Sequence, residues 1–250
     1  KDLDKVITIS SNVTSGYNPT NVNSKIDMAL KKFSFPNGYT YKFGGEQQEQ
    51  EVEMAFLSNA FMIALFLVFI IIVAQFNKII TPLIIMSSII LSTIGVFLGL
   101  LVFKMDFVVV MTMIGVISLI GIVVNNAIVL IDFIELNRKR KLLKTSKLDV
   151  KDIIDCISDA GKTRLRPVIL TALTTILGLM PLAIGMNFDF VNFFKFYEIS
   201  FYLGGDNMVF FGPIAWAIIF GLSFATFLTL LVIPSMYLIQ VKLNRFLGLS

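Results

Sequence analysis

Long apolar runs alternate with short polar connections along most of this chain. Five runs are long enough to cross a hydrocarbon core of roughly 30 Å, which takes about 20 helical residues. They lie near 55–75, 79–102, 107–134, 167–187 and 208–240. The last exceeds what a perpendicular crossing needs, so its first residues are expected to tilt or to lie in the interface. Ahead of the runs, residues 1–50 change character. VITISSNV alternates like a strand, NVNSKIDMALKKF carries helical spacing, and YTYKFGG alternates again after a PNG turn. The pattern therefore predicts a membrane all-α bundle of five transmembrane helices preceded by a small α+β piece. That strand–helix–strand piece is too small to stand alone and reads as the end of a larger extracytoplasmic domain. The organisation is then residues 1–50, a transmembrane part over 51–240 interrupted by a connection at 135–166, and a tail at 241–250.

Composition points the same way. Apolar residues make up 56% of the chain and charged residues 15%, against a soluble norm of about 45–50% and 25%. The basic residues are asymmetric. Ten Lys or Arg lie between 135 and 166, and Lys78, Lys242 and Arg245 join them on the same side; Lys104 and Lys195 alone occupy the opposite loops. By the positive-inside rule the 135–166 connection and the tail are cytoplasmic, and the amino-terminal segment lies outside. The formal net charge of +4 is accounted for by that connection and gives no reason to invoke nucleic acid. Within it, LDVKDIIDCISDAG reads as an amphipathic helix on the membrane surface, the alternative being a solvated charged loop. The chain opens mid-pattern with KDLDKVITIS and no initiator Met, so it is expected to be the carboxyl-terminal piece of something longer.

Candidate chemistry is sparse. The chain has no histidine and a single cysteine, Cys156, which excludes imidazole chemistry, a Ser-His-Asp triad and an intrachain disulfide. No glycine-rich phosphate loop occurs, so no nucleotide-driven pump is encoded here. GGEQQEQE at 44–51 is a glycine turn leading into the first span, with no metal-ligand pattern. No cofactor is called for. The conspicuous polar residues lie inside apolar runs. In GIVVNNAIVLIDF (121–133), Asn125 and Asp132 are seven apart and share a helical face with Ser118 and Gly121, while Asn126 points about 100° away. Lipid would not tolerate such a stripe. It either glues helices together or lines a path for protons or ions, and spacing alone favours the glue. In TRLRPVILTALTTILG, Arg164 and Arg166 sit at the cytoplasmic boundary, Pro167 suits the first turn of a helix, and Thr171 lies seven residues beyond Arg164 on the same face. Topology alone explains the arginines, and back-bonding to helix carbonyls alone explains the hydroxyls.

Taken together, GGEQQEQ before a span, GVISLIGIVVNNAIVLIDF and TRLRPVILTALTTILGLMPLAIG resemble the carboxyl-terminal membrane half of resistance-nodulation-division (RND) exporters, in their hydrophobe/amphiphile efflux branch. VITISSNV and FPNGYTYKFGGEQ resemble the end of that family's second porter repeat. The resemblance implies a proton-driven antiporter of the bacterial inner membrane. It would be a homotrimer working with its amino-terminal half, a periplasmic adaptor and an outer-membrane channel, with proton as the coupling ion. It also implies a proton relay: the family's Lys falls on Asn125, its Arg on Arg164 and its Thr on Thr171, with Asn126 and Asp132 able to share the role. The family's Asp pair falls outside this sequence. Asn125 departs from the pattern, because an amide hydrogen-bonds to a carboxylate but does not electrostatically favour its ionised form. Multidrug members also have a shorter link where this chain carries the Phe-rich stretch 188–211, which reads as an interfacial insert. Two rival readings remain at this level: a related lipid or protein-export transporter, and a split-gene remnant that is inactive without its partner half.

Overall fold

The structure, a computed structural model, describes residues 6–11, 19–33, 35–36, 38–44, 46–145, 149–188 and 201–246. Six helices and one strand pair are formed among them: α1 (Pro19–Lys32), α2 (Glu46–Phe76), α3 (Ile80–Val102), α4 (Val109–Leu142), α5 (Val150–Ile184), β1 (Met186–Phe188), β2 (Phe201–Leu203) and α6 (Asp206–Phe246). The chain divides into two compact units, Lys1–Glu53 and Met54–Ser250.

In the first unit the expected helix is present as α1, but the flanking strands are not formed among the described residues. Residues 6–11 and 38–44 carry no regular structure apart from a turn at Gly38, and Val6, Ile7 and Ile9 are largely exposed. A strand needs neighbours to satisfy its backbone groups, and the described residues of this unit supply none. What order exists comes from side chains. Asp27 accepts hydrogen bonds from Tyr41 (2.9 Å) and pairs with Lys31 (2.6 Å). Lys31 first, then the Tyr41 hydroxyl, hold the Asp27 carboxyl below its ordinary value. The rings of Phe35 and Tyr41 stack at 5.5 Å.

The second unit is a helical bundle. Five helices are long and apolar enough to cross a membrane: Val52–Phe76, Ile80–Val102, Val109–Leu142, Val150–Ile184 and Asn207–Leu243. At its centre is α6, which packs against α3, α4 and α5. Small residues at four-residue spacing make that close approach possible. Ala217, Gly221 and Ala225 are all buried along one face of α6, and α3 answers with Gly95 and Gly99, against which Phe224 and Phe220 are seated. A Cβ at Gly99 would stand 2.2 Å from Cγ of Phe220, so only glycine fits there. Two apolar clusters result. One joins Ile72, Ile85, Leu130, Ile134 and Tyr237, and the other joins Val96, Leu119, Val123, Ala217 and Leu222.

Three features depart from the pattern read in the sequence. First, α4 continues to Leu142, two turns past the expected end of its apolar run. Second, LDVKDIIDCISDAG forms no separate surface helix. It becomes the first turns of α5, started by an Asp149–Asp152 capping box and running unbroken through Pro167, which lies in mid-helix. Pro167 removes one backbone donor and is tolerated because a single missing bond does not stop a helix held on both sides by packing. Third, the all-α expectation misses a short antiparallel pair, with Met186 opposite Leu203. Gly185 ends α5 in the left-handed region (φ 72°), and its carbonyl accepts from the Gly204 amide at 2.8 Å. The intervening residues 189–200, which hold most of the Phe-rich stretch, lie outside the described residues.

Candidate functional site

The candidate residues lie on α4 and α5, and helix periodicity decides which way each faces. The buried face of α4 runs through Val116, Leu119, Ile120, Val123, Ala127, Leu130, Ile131 and Ile134. Ser118, Gly121, Asn125 and Asp132 sit on the opposite face, and all four are exposed on this chain. No atom lies within 4 Å of where a Cβ on Gly121 would stand. Neither Asn125, Asn126 nor Asp132 makes a hydrogen bond or ion pair within the described residues. The interhelical-glue reading therefore has no support inside this bundle, because the stripe grips none of the helices present.

Asn126 belongs to a different flank, the one that also carries Ile122 and Phe133 at helical spacing. It is half-buried. On α5, Arg164 meets that flank, its guanidinium carbon 4.5 Å from the centre of the Phe133 ring. The contact explains how a cation lies against apolar surface: the ring face attracts it, an interaction worth about 0.5–2 kcal/mol depending on desolvation. The Arg164 Nε is buried and has no hydrogen-bond partner. The side chain therefore keeps donor capacity at a site where losing water is costly.

Thr171 lies two turns beyond Arg164 on the same face, about 10 Å along the axis. Because α5 returns antiparallel to α4, seven residues up from the Arg164–Phe133 contact on one helix corresponds to seven back on the other, at the level of Asn126. Packing agrees, since Ala172 and Ile176 of α5 join the cluster that holds Ile122 and Val123 of α4. Thr171 donates to the Val168 carbonyl at 2.9 Å, and its own carbonyl accepts from the hydroxyls of Thr174 (3.0 Å) and Thr175 (2.8 Å). This is the back-bonding expected of hydroxyls in apolar helices. The structure thus seats Arg164 against the Phe133 flank of α4 that also carries Asn126, while Thr171 is exposed and makes no hydrogen bond to Asn126 among the described residues. It does not bring Arg164 to Asp132: no ion pair joins them, and Asp132 faces outward.

Sequence reading missed the polar anchoring at the end of α4. Glu135, Arg138 and Lys141 recur every three residues, and each reaches a different element. Glu135 pairs with Lys78 (2.7 Å), Arg138 donates to the Tyr237 hydroxyl (2.6 Å), and Lys141 bridges Asp152 (3.0 Å) and Asp155 (3.4 Å). The i, i+3, i+6 spacing was visible as a signal, but it lay beyond the expected end of the helix. Phe133, the ring beneath Arg164, carried no signal in the sequence that set it apart from the apolar residues around it.

A model of the AcrB/AcrD/AcrF family matches residues 1–188. The chain is 31% identical over 237 residues to the swarming motility protein SwrC of Bacillus subtilis, covering 95% of this chain and 20% of that protein. It is 28% identical over 243 residues to the multidrug resistance protein MdtC of Erwinia tasmaniensis, covering 97% of this chain and 21% of that protein. Among solved structures it resembles a heavy metal efflux pump with a TM-score of 0.67 at 25% identity, over 90% of this chain and 19% of that one. The chain spans about a fifth of the length of the curated relatives it matches.

Proposed function

The chain belongs to the AcrB/AcrD/AcrF family of RND permeases, and from that premise we propose that it serves as part of a proton-driven exporter of hydrophobic or amphiphilic compounds. It is a multi-pass membrane protein. On this reading the tail and the α4–α5 connection are cytoplasmic, and residues 1–50 end a porter domain whose other strands supply the pairing partners that residues 6–11 and 38–44 lack. The working unit would be a homotrimer with an adaptor and an outer-membrane channel.

The observation that carries the reading is Arg164. An arginine laid on the Phe133 ring with its Nε unpartnered among the described residues is a cation with no acceptor supplied by the helices around it. Beside it, the exposed Ser118–Gly121–Asn125–Asp132 stripe is too polar for lipid and answers no other helix of the bundle. Both features suit a face that meets carboxylates of another span, with Thr171 and Asn126 completing a hydrogen-bonded route. Asn125 and Asn126 would hold an acceptor by hydrogen bonds, and Arg164 would supply the positive charge. Each elementary charge moved across the membrane yields about 2.3 kcal/mol per 100 mV, enough to drive export against a gradient.

The test is Arg164→Ala in the intact transporter, with dye efflux and subunit assembly measured side by side. Export should be lost while assembly is retained, and Arg164→Lys should restore part of it. Wild-type efflux by Arg164→Ala would overturn the assignment.

A further inference from the structure

A cavity of about 580 Å³ lies between the end of α4 and the start of α5, lined by cationic groups for which the proposed transport has no use. Its size falls within the roughly 300–1,000 Å³ typical of small-molecule sites. On the α4 side, Phe133, Asn137 and Lys144 follow one another at helical spacing, with Arg140 and Lys141 beside them; α5 contributes Cys156, Asp159 and Lys162. The lining thus holds four cations against one carboxylate.

Lys141 is already engaged by Asp152 and Asp155. Arg140, Lys144 and Lys162 have no carboxylate partner among the described residues. Three unpaired cations around one concavity repel each other and stay together at a cost unless an anion joins them. The lining identifies the kind of anion. It includes Phe133, whose ring also carries Arg164, and the buried Cys156, so apolar surface adjoins the cations there. Leu136, Leu143 and Ile154 lie exposed on the same two helix ends. Cations in the lining and exposed apolar side chains on the same helix ends match a phosphate group with acyl chains attached, the arrangement by which basic pockets between membrane helices hold lipid headgroups.

We propose that this cavity binds a phosphate-bearing anion, supplied by the headgroup of an anionic phospholipid. Arg140, Lys144 and Lys162 contact the phosphate oxygens, and the Asn137 amide stands ready to donate a hydrogen bond to it. Occupancy would join α4 to α5 at the point where Lys141 alone now bridges them.

Cys156 is the only cysteine in the sequence and lines the cavity; being buried, it is alkylated by N-ethylmaleimide only as the ends of α4 and α5 part, which occupancy opposes. The full chain would be reconstituted in phosphatidylcholine vesicles, in vesicles that also contain phosphatidylglycerol, and in phosphatidylcholine vesicles with inorganic phosphate added. Phosphatidylglycerol should slow alkylation. Lys144→Gln and Lys162→Gln should each raise the phosphatidylglycerol content needed for protection by about fivefold, the factor expected for one lost cation. Lys139→Gln and Lys151→Gln, at exposed positions outside the cavity, should leave it unchanged. Native mass spectrometry should show a retained phosphatidylglycerol that the Lys144→Gln/Lys162→Gln double variant loses. An equal effect from Lys139→Gln would reduce the effect to general surface charge and overturn the site, as would alkylation at one rate in all three vesicle conditions. Protection by inorganic phosphate alone would overturn phospholipid as the source.

Discussion

Gly221→Ala tests the central claim of the architecture, that α6 is held by backbone-close crossings. An added Cβ would stand 2.2 Å from Cδ2 of Leu119, 2.8 Å from Cγ2 of Val96 and 3.2 Å from the Ser92 carbonyl oxygen. These obstacles differ in how far they can yield. The Leu119 methyl is the end of a flexible side chain, although Leu119 is itself 0% exposed. The Val96 methyl is held by β-branching, and the Ser92 oxygen is backbone that moves only if α3 moves. The helices must therefore separate by several tenths of an ångström along a seam that also seats Phe220 and Phe224. Overpacking of this kind costs about 1–3 kcal/mol. Gly178→Ala on α5 is the comparison: nothing lies within 4 Å of its Cβ position, and replacing a helical glycine should gain about 0.5–1 kcal/mol. Unfolding in mixed detergent micelles, followed by helical circular dichroism, would place Gly221→Ala below and Gly178→Ala at or above the parent chain. Leu119→Ala should cost about 2–5 kcal/mol alone but less in the Gly221→Ala background, because it removes the nearest clash. If Gly221→Ala is as stable as the parent, the close α3–α4–α6 crossing is wrong.

Two further predictions concern the anchoring at the end of α4. Tyr237→Phe removes the acceptor of a 2.6 Å bond from Arg138, whose Nε is already without a partner. It should cost about 1.5–3 kcal/mol in the same unfolding assay, and an unchanged midpoint would mean that the bond contributes nothing. Lys141→Gln breaks the bridge to Asp152 and Asp155, but the side chains are about one-third to two-thirds exposed, so the loss of stability should be small. Its clearer signature is faster hydrogen exchange confined to the first turns of α5, and exchange unaltered there would count against the bridge.

How far the site was legible in the sequence varies by residue. The Ser118–Gly121–Asn125–Asp132 stripe follows from helical period alone, because seven residues return to the same face wherever the helix is placed. Arg164 and Thr171 on one face of α5 follow for the same reason, and Pro167 between them did not disturb it. The partners of these residues were not legible. That Phe133 underlies Arg164, and that Asn126 rather than Asn125 occupies the α4–α5 flank, depend on how the two helices are rotated against each other. The flanking strands of the first unit fail differently: VITISSNV has the alternation of a strand, but a pattern supplies no pairing partner.

The sequence by itself determined the five membrane-spanning helices and the polar first segment. Each of these is set by local quantities: the thickness of the hydrocarbon core and the helical period. Only the tertiary structure decided which stripe of α4 is buried, that α6 stands at the centre, and that Glu135, Arg138 and Lys141 grip three different elements. It also decided that the basic residues after Phe133 enclose a cavity with α5. Those outcomes come from packing several helices at once, where the energy of each contact depends on residues far away in the chain, and no local pattern records that dependence.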